Sequence, residues 1–164
     1  MIPFSTTLLH GLLICLPFTL FVLVSFWGWP RLWLHSLPPD IAAAAGPKSQ
    51  AEEQATKYLL IVALVVLPGP SVLSTYQATR SIDLTFWGAL VHIYLVWIVV
   101  HLWDFAVIDF AHTLLINPAK PPIRGTENLK GWSDMRFHFR SLLKAVPASA
   151  IFVLPAAWLL SWLL

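Results

Sequence analysis

Four long apolar runs restrict this chain more than any other feature: Leu8 to Trp29, Tyr58 to Tyr76, Thr85 to about Ile108, and Leu142 to Leu164. Each is long enough to cross a hydrocarbon core of ~30 Å, which takes roughly 20 helical residues. Backbone polar groups at that depth have no water to bond, so helices are the expected form. Short alternating strands, the mark of an outer-membrane barrel, are absent. Composition points the same way: only 11% of residues are charged, against about 25% in soluble domains. The fold class expected is all-α: a polytopic membrane protein in which residues 1–164 form one domain, a bundle of four transmembrane helices over about 8–29, 50–76, 85–116 and 142–164. The first run is read as a retained helix, because no Lys or Arg precedes it and no small-residue cleavage pattern follows.

Charge fixes the expected orientation. Arg31, Lys48, Lys57, Lys120, Arg124, Lys130, Arg136, Arg140 and Lys144 fall on the side of the first and third loops, and Arg80 alone falls on the other. Positive residues accumulate in the cytoplasm, so the chain reads as a multi-pass cell-membrane protein with both termini on the non-cytoplasmic side. The net charge of +2 then describes one basic face meeting lipid head groups rather than nucleic acid. The partners expected are the lipid bilayer and either another membrane protein or a second copy of the chain.

Local signals mark the helix ends. Pro30 stops the first helix, and Trp27, Trp29 and Trp33 suit an interface. Residues 37–47 read as a loop, with one turn over Ala42 to Ala45. Ser49 and Glu52 form a capping-box pattern that starts the second helix ahead of its apolar part. Pro68-Gly69-Pro70 either ends that helix, breaks it, or makes it re-entrant. Asp83 is a candidate cap for the third helix, Asn117-Pro118 terminates it, and Lys120 to Asp134 reads as a polar loop. Pro147 and Pro155 should kink the fourth helix. Cys15 has no partner in the chain, which excludes an internal disulfide; it reads as a small packing residue.

The third run carries the chemistry. Ionisable groups at membrane depth are costly and usually functional, and His101, Asp104, Asp109 and His112 lie within one helix. At about 100° per residue they fall in an arc of roughly 140°. His101 with Asp104, and Asp109 with His112, are (i, i+3) neighbours able to touch. Such a stripe could relay protons or small ions, with the aspartates tuning the histidines. A structural alternative pairs Asp104 and Asp109 with Arg31, Arg140 or Lys144 as a clamp between helices. A metal cage is disfavoured, because the other three runs add no Asp or Glu and only His10. His10 and His92, at similar depth, are a candidate pair of haem ligands; beyond that the cofactor is unknown. Phosphate-binding loops and hydrolase or metalloprotease motifs are absent.

The elements Trp103-Asp104, Asp109, Gly125-Thr126-Glu127 and Phe137-His138-Phe139-Arg140 resemble those of a family of small, uncharacterised bacterial four-helix integral membrane proteins. The resemblance covers about a quarter of the chain, Trp103 to Lys144, and implies no particular activity. It groups Asp104, Asp109, Glu127 and His138 on the cytoplasmic side, with Arg140 and Lys144 close by. Arg124 departs from the proline expected before Gly125. Three functions follow as expectations: proton or small-ion handling through the stripe, a non-catalytic accessory subunit of a larger membrane complex, or an enzyme acting at the cytoplasmic interface with Asp109, Glu127 and His138.

Overall fold

A computed structural model describes residues 2–66, 68–79 and 85–163, and among these all regular structure is helical. In chain order it comprises α1 (Phe4–Gly28), a 3₁₀ turn (Pro30–Ser36), α2 (Pro39–Ala45), α3 (Gln50–Val66), α4 (Pro68–Thr79) and α5 (Phe86–Trp103). A π-helical stretch (Asp104–Asp109), α6 (Phe110–Leu115), a second 3₁₀ turn (Lys130–Ser133), α7 (Met135–Ala148) and α8 (Ala150–Leu163) follow. Four segments are long and apolar enough to cross a membrane: Phe4–Gly28, Gln50–Ala78, Phe86–Leu115 and Met135–Trp162.

Caps explain where these helices begin. The Ser49 backbone N–H donates to Glu52 Oε2 at 2.7 Å, and the Glu52 N–H donates to Ser49 Oγ at 3.3 Å. That is the reciprocal capping box read from the sequence. The third segment is capped by Thr85, whose hydroxyl accepts from the Gly88 N–H; Asp83 lies outside the described residues, as does Leu67 at the Pro68-Gly69-Pro70 junction. Residues on both sides of that junction are helical, α3 to Val66 and α4 from Pro68. The fourth segment starts at Met135 rather than at 142, because Asp134 caps it by accepting from the Phe137 N–H at 3.1 Å. It is interrupted at Ser149, two residues beyond Pro147, while Pro155 sits inside α8. At that interruption the Val146 carbonyl accepts from both Tyr94 Oη and Ser149 Oγ.

Helix α5 is the axis, packed between α1 and α8 with α4 closing a third side. Ile14, Cys15, Ile93, Val96, Val100, Val153 and Leu160 form the core there. The α1–α5 seam is close: a Cβ on Gly11 would stand 2.7 Å from Val99 Cβ. Trp103 Nε1 donates to Thr19 Oγ1 across the same seam at 2.9 Å. Helix α3, by contrast, packs on the Pro30–Ser36 turn and on α4, and among the described residues shares no extended seam with α1, α5 or α7.

The basic end of the bundle, expected to be loops, is a folded layer with its own core. Phe26, Leu34, Ile41, Ile116, Ile123 and Trp132 pack together there. Trp132 Nε1 donates to the Thr126 carbonyl at 3.0 Å, and the Gly131 N–H donates to Asp40 Oδ2 at 2.9 Å. Arg31 ties the first turn to α3 through Glu52 at 2.6 Å and also donates to the Ala45 and Pro47 carbonyls.

Candidate functional site

The expected stripe is divided by the π-helical stretch, which begins at Asp104 and ends at Asp109. A π turn takes an extra residue, and such bulges occur often at functional sites. Residues beyond it are set back by about one position, roughly 100°, from where a regular α-helix would put them. Among the described residues no hydrogen bond joins His101 to Asp104 or Asp109 to His112. His101 Nε2 and His112 Nε2 are both buried without a hydrogen-bond partner. His101 lies against the Trp97 ring, with centroids 5.8 Å apart. His112 lies against the Phe26 ring at 4.1 Å, with Trp27 at 6.0 Å.

Asp109 instead meets α7. Its Oδ1 is 2.9 Å from His138 Nδ1, and the two side chains are only 21% and 12% exposed. The donor at this contact is the Nδ1–H, so a neutral His138 leaves Nε2 as an acceptor. This is the partner that the clamp reading assigned to Arg31, Arg140 or Lys144. Arg31 is held by Glu52, and Arg140 is exposed and away from the site.

The pair lies in the wall of a cavity of about 610 Å³. The cavity is lined by residues of α1, α3, the π-helical stretch, α6 and α7. Its apolar side is formed by Phe18, Phe21 and Val22 of α1 facing Leu59, Leu60 and Ala63 of α3. Its polar side carries Asp104, Asp109, His112, His138, Ser141 and Lys144, with Trp33 and His35 at one end. His101 does not line it. Three of the four stripe residues and two of the four secondary candidates thus meet in one place. Glu127 does not: it accepts from the Gly125 N–H at 3.0 Å within its own loop. Backbone N–H groups, its own and then that of Gly125, hold its carboxyl below the usual carboxylate range.

Trp33 and His35 were not anticipated as site residues. Their position depends on the turn after Trp29, which folds the chain back under α1, and no residue pattern announces that turn. Partial desolvation, then the nearby Lys48 ammonium, hold the His35 imidazole below the ordinary histidine range. A smaller cavity of about 380 Å³ lies beside Trp29, Arg31 and Arg124, where Arg31 is already engaged by Glu52 and by the Ala45 and Pro47 carbonyls.

At the opposite end of the bundle His10 Nδ1 and His92 Nε2 share a hydrogen bond at 3.2 Å, and Thr7 Oγ1 lies 2.8 Å from His92 Nδ1. The two histidines do reach the same level, as expected. In direct contact they leave no room for an iron and its macrocycle between them, so the haem reading is corrected to a polar clasp between α1 and α5. Among the described residues no group of three or more His, Cys, Asp or Glu is arranged to hold a metal.

Comparison with protein-family models, curated proteins and solved structures finds no match to this chain.

Proposed function

We propose that the four apolar segments span a membrane with the basic layer in the cytoplasm, and that the cavity exchanges protons with a molecule bound inside it. The observation that carries this reading is the Asp109–His138 contact in the cavity wall. A carboxylate on Nδ1 orients the ring and fixes its tautomer, which leaves Nε2 free to take a proton from the occupant or return one. Asp104 and His112 add two more proton-binding groups to the same wall. Exchange from one side fits better than conduction across the membrane. Between His101 and His92, α5 buries Ile93, Val96 and Val100 in an apolar core with no exposure to solvent, and the cavity stops short of His101.

Two experiments test this. Nitrogen NMR of histidine-labelled protein in lipid nanodiscs, assigned with His138→Gln, should find neutral His138 protonated at Nδ1 and that preference lost in Asp109→Ala, which leaves no acceptor; the opposite tautomer in the wild type would sink the reading. In proteoliposomes, proton flux should match empty vesicles, and a flux abolished by Asp104→Asn would restore a transmembrane pathway. The orientation is checked in a Cys15→Ala background, where Ser133→Cys should be labelled from the cytoplasmic face and Ser5→Cys from the other.

The accessory-subunit reading keeps one supporting observation. Tyr58, Ile61 and Leu64 on α3 are 69%, 57% and 58% exposed, an apolar surface that a lipid or a neighbouring subunit would cover.

A further inference from the structure

We propose that this cavity binds a lipophilic organic monocation, an ammonium group on an apolar body, with its charge held by Asp104; this rests on the reading of the chain as membrane-spanning with His138 neutral. Three observations converge on it. First, carboxylates outnumber cations in the lining. Asp104, Asp109 and Lys144 carry its formal charges, which leaves one negative charge unbalanced. The imidazoles do not make up the difference. Partial desolvation, then the Lys48 ammonium, hold His35 below the ordinary histidine range, and His112 has its Nε2 enclosed without a partner. Asp109 is engaged by His138. The Asp104 carboxylate takes part in no hydrogen bond or ion pair among the described residues, and it is half-buried rather than enclosed. Lys144 is exposed and makes no ion pair with it. An unpaired carboxylate at membrane depth is costly, and a cation brought in by the occupant offsets that cost.

Second, the walls suit an organic cation better than a metal ion. Among the described residues no group of three or more His, Cys, Asp or Glu is arranged to hold a metal. Rings arrive instead from three elements: Phe18 and Phe21 of α1, Trp33 of the first 3₁₀ turn, and Phe137 of α7. Phe21 and Trp33 meet with centroids 6.3 Å apart. Ring faces attract an ammonium electrostatically, and Leu59 and Ala63 of α3 add aliphatic surface for its apolar body. The volume of about 610 Å³ falls inside the usual ~300–1,000 Å³ of small-molecule sites.

Third, helix packing leaves one lateral side of the cavity open. Helix α3 leans on the Pro30–Ser36 turn and on α4, while α7 packs on α5, α8 and the π-helical stretch. Among the described residues no extended seam joins α3 to α7. At membrane depth that side faces acyl chains, so a cation with an apolar body reaches Asp104 from the bilayer.

The test uses the full chain in nanodiscs of zwitterionic lipid, with binding to empty nanodiscs subtracted. Radiolabelled dodecyltrimethylammonium and dodecylamine are the probes; dodecanol, dodecanoate and magnesium chloride are the comparators. One of either probe should bind saturably per chain, and no saturable binding overturns the proposal. Asp104→Asn should weaken binding about tenfold, the loss expected when a charge-assisted contact is removed, while Asp104→Glu should hold it within about threefold. Equal losses in those two variants, or none in Asp104→Asn, overturn the role of the carboxylate. Lys144→Gln should not weaken binding, and a weakening overturns the sign of the charge. Dodecanol or dodecanoate binding as tightly as dodecyltrimethylammonium overturns the cation. Magnesium displacing either probe at equal concentration overturns the organic body. Ala63→Trp should abolish binding and the milder Ala63→Leu should reduce it; binding unchanged in both overturns the location. The quaternary probe has no proton to exchange, so the two readings fail separately. Its binding without the Nδ1 preference of wild-type His138 defeats proton exchange alone, and that preference without binding of either probe defeats this inference alone.

Discussion

The Asp109–His138 contact can be weighed by a double-mutant cycle. A hydrogen bond to a charged group contributes about 1.5–3 kcal/mol when desolvated, and a neutral one about 0.5–1.5 kcal/mol. With the two side chains 21% and 12% exposed, water retains partial access, so a coupling of about 1–2 kcal/mol is expected. Asp109→Asn keeps an acceptor for His138 Nδ1 but loses the charge, and should cost about 1 kcal/mol. Asp109→Ala leaves the Nδ1–H unpaired and should cost more, about 2–3 kcal/mol. Unfolding of Asp109→Asn, His138→Gln and the double variant, followed by steric trapping in bicelles, yields the coupling directly. Once His138 is replaced, Asp109→Asn should be nearly neutral. A coupling below ~0.3 kcal/mol, inside ordinary additivity, would mean that the two side chains do not meet.

Other consequences follow from contacts elsewhere. Gly11→Ala should lower the thermal midpoint, because a Cβ 2.7 Å from Val99 Cβ overpacks the α1–α5 seam by about 1–3 kcal/mol, only partly offset by up to ~1 kcal/mol of helix propensity; an unchanged or raised midpoint would refute the close approach. Asp40→Ala should speed tryptic cleavage at Lys130, since it strands the Gly131 N–H that donates to Asp40 at 2.9 Å; equal cleavage rates would mean that α2 does not hold the loop. The pH dependence has a definite sign at His35. Its pKa is lowered in the folded state, so between that value and the ordinary ~6.5 the unfolded chain binds more protons, and stability falls as pH drops through the window. The loss in midpoint between pH ~7.5 and ~5 should therefore be smaller in His35→Gln than in the wild type, and equal losses would count against the shift.

The helical architecture was readable because hydrophobic length and capping chemistry are local. Apolar runs mark the four long segments, and the Ser49/Glu52 box acts within one turn; the Thr85 cap was not among the expectations, which offered Asp83. The apolar run marks the fourth segment only from 142; the basic and aromatic alternation over Arg136 to Arg140 reads as an interfacial helix start, and the structure begins that helix at Met135 because Asp134 caps it. The site was partly legible for a related reason. Ionisable residues in an apolar run stand out by cost alone, which identified Asp104, Asp109 and His112. Their pairing was read from helix spacing alone, and spacing within one helix does not foresee that His138 of α7 reaches Asp109.

What the sequence by itself determined is the set of local and compositional properties: four apolar helices, one basic end, and a polar cluster inside the third run. These follow from transfer energetics and short-range hydrogen bonding, which each segment expresses on its own. Tertiary structure alone decided that His138 rather than His112 meets Asp109, and that Trp33 and His35 join the site while Glu127 and His101 stay out. It also decided that α3 stands apart from α7. These outcomes depend on side chains far apart in the chain competing for the same space, and no local period encodes the result of that competition.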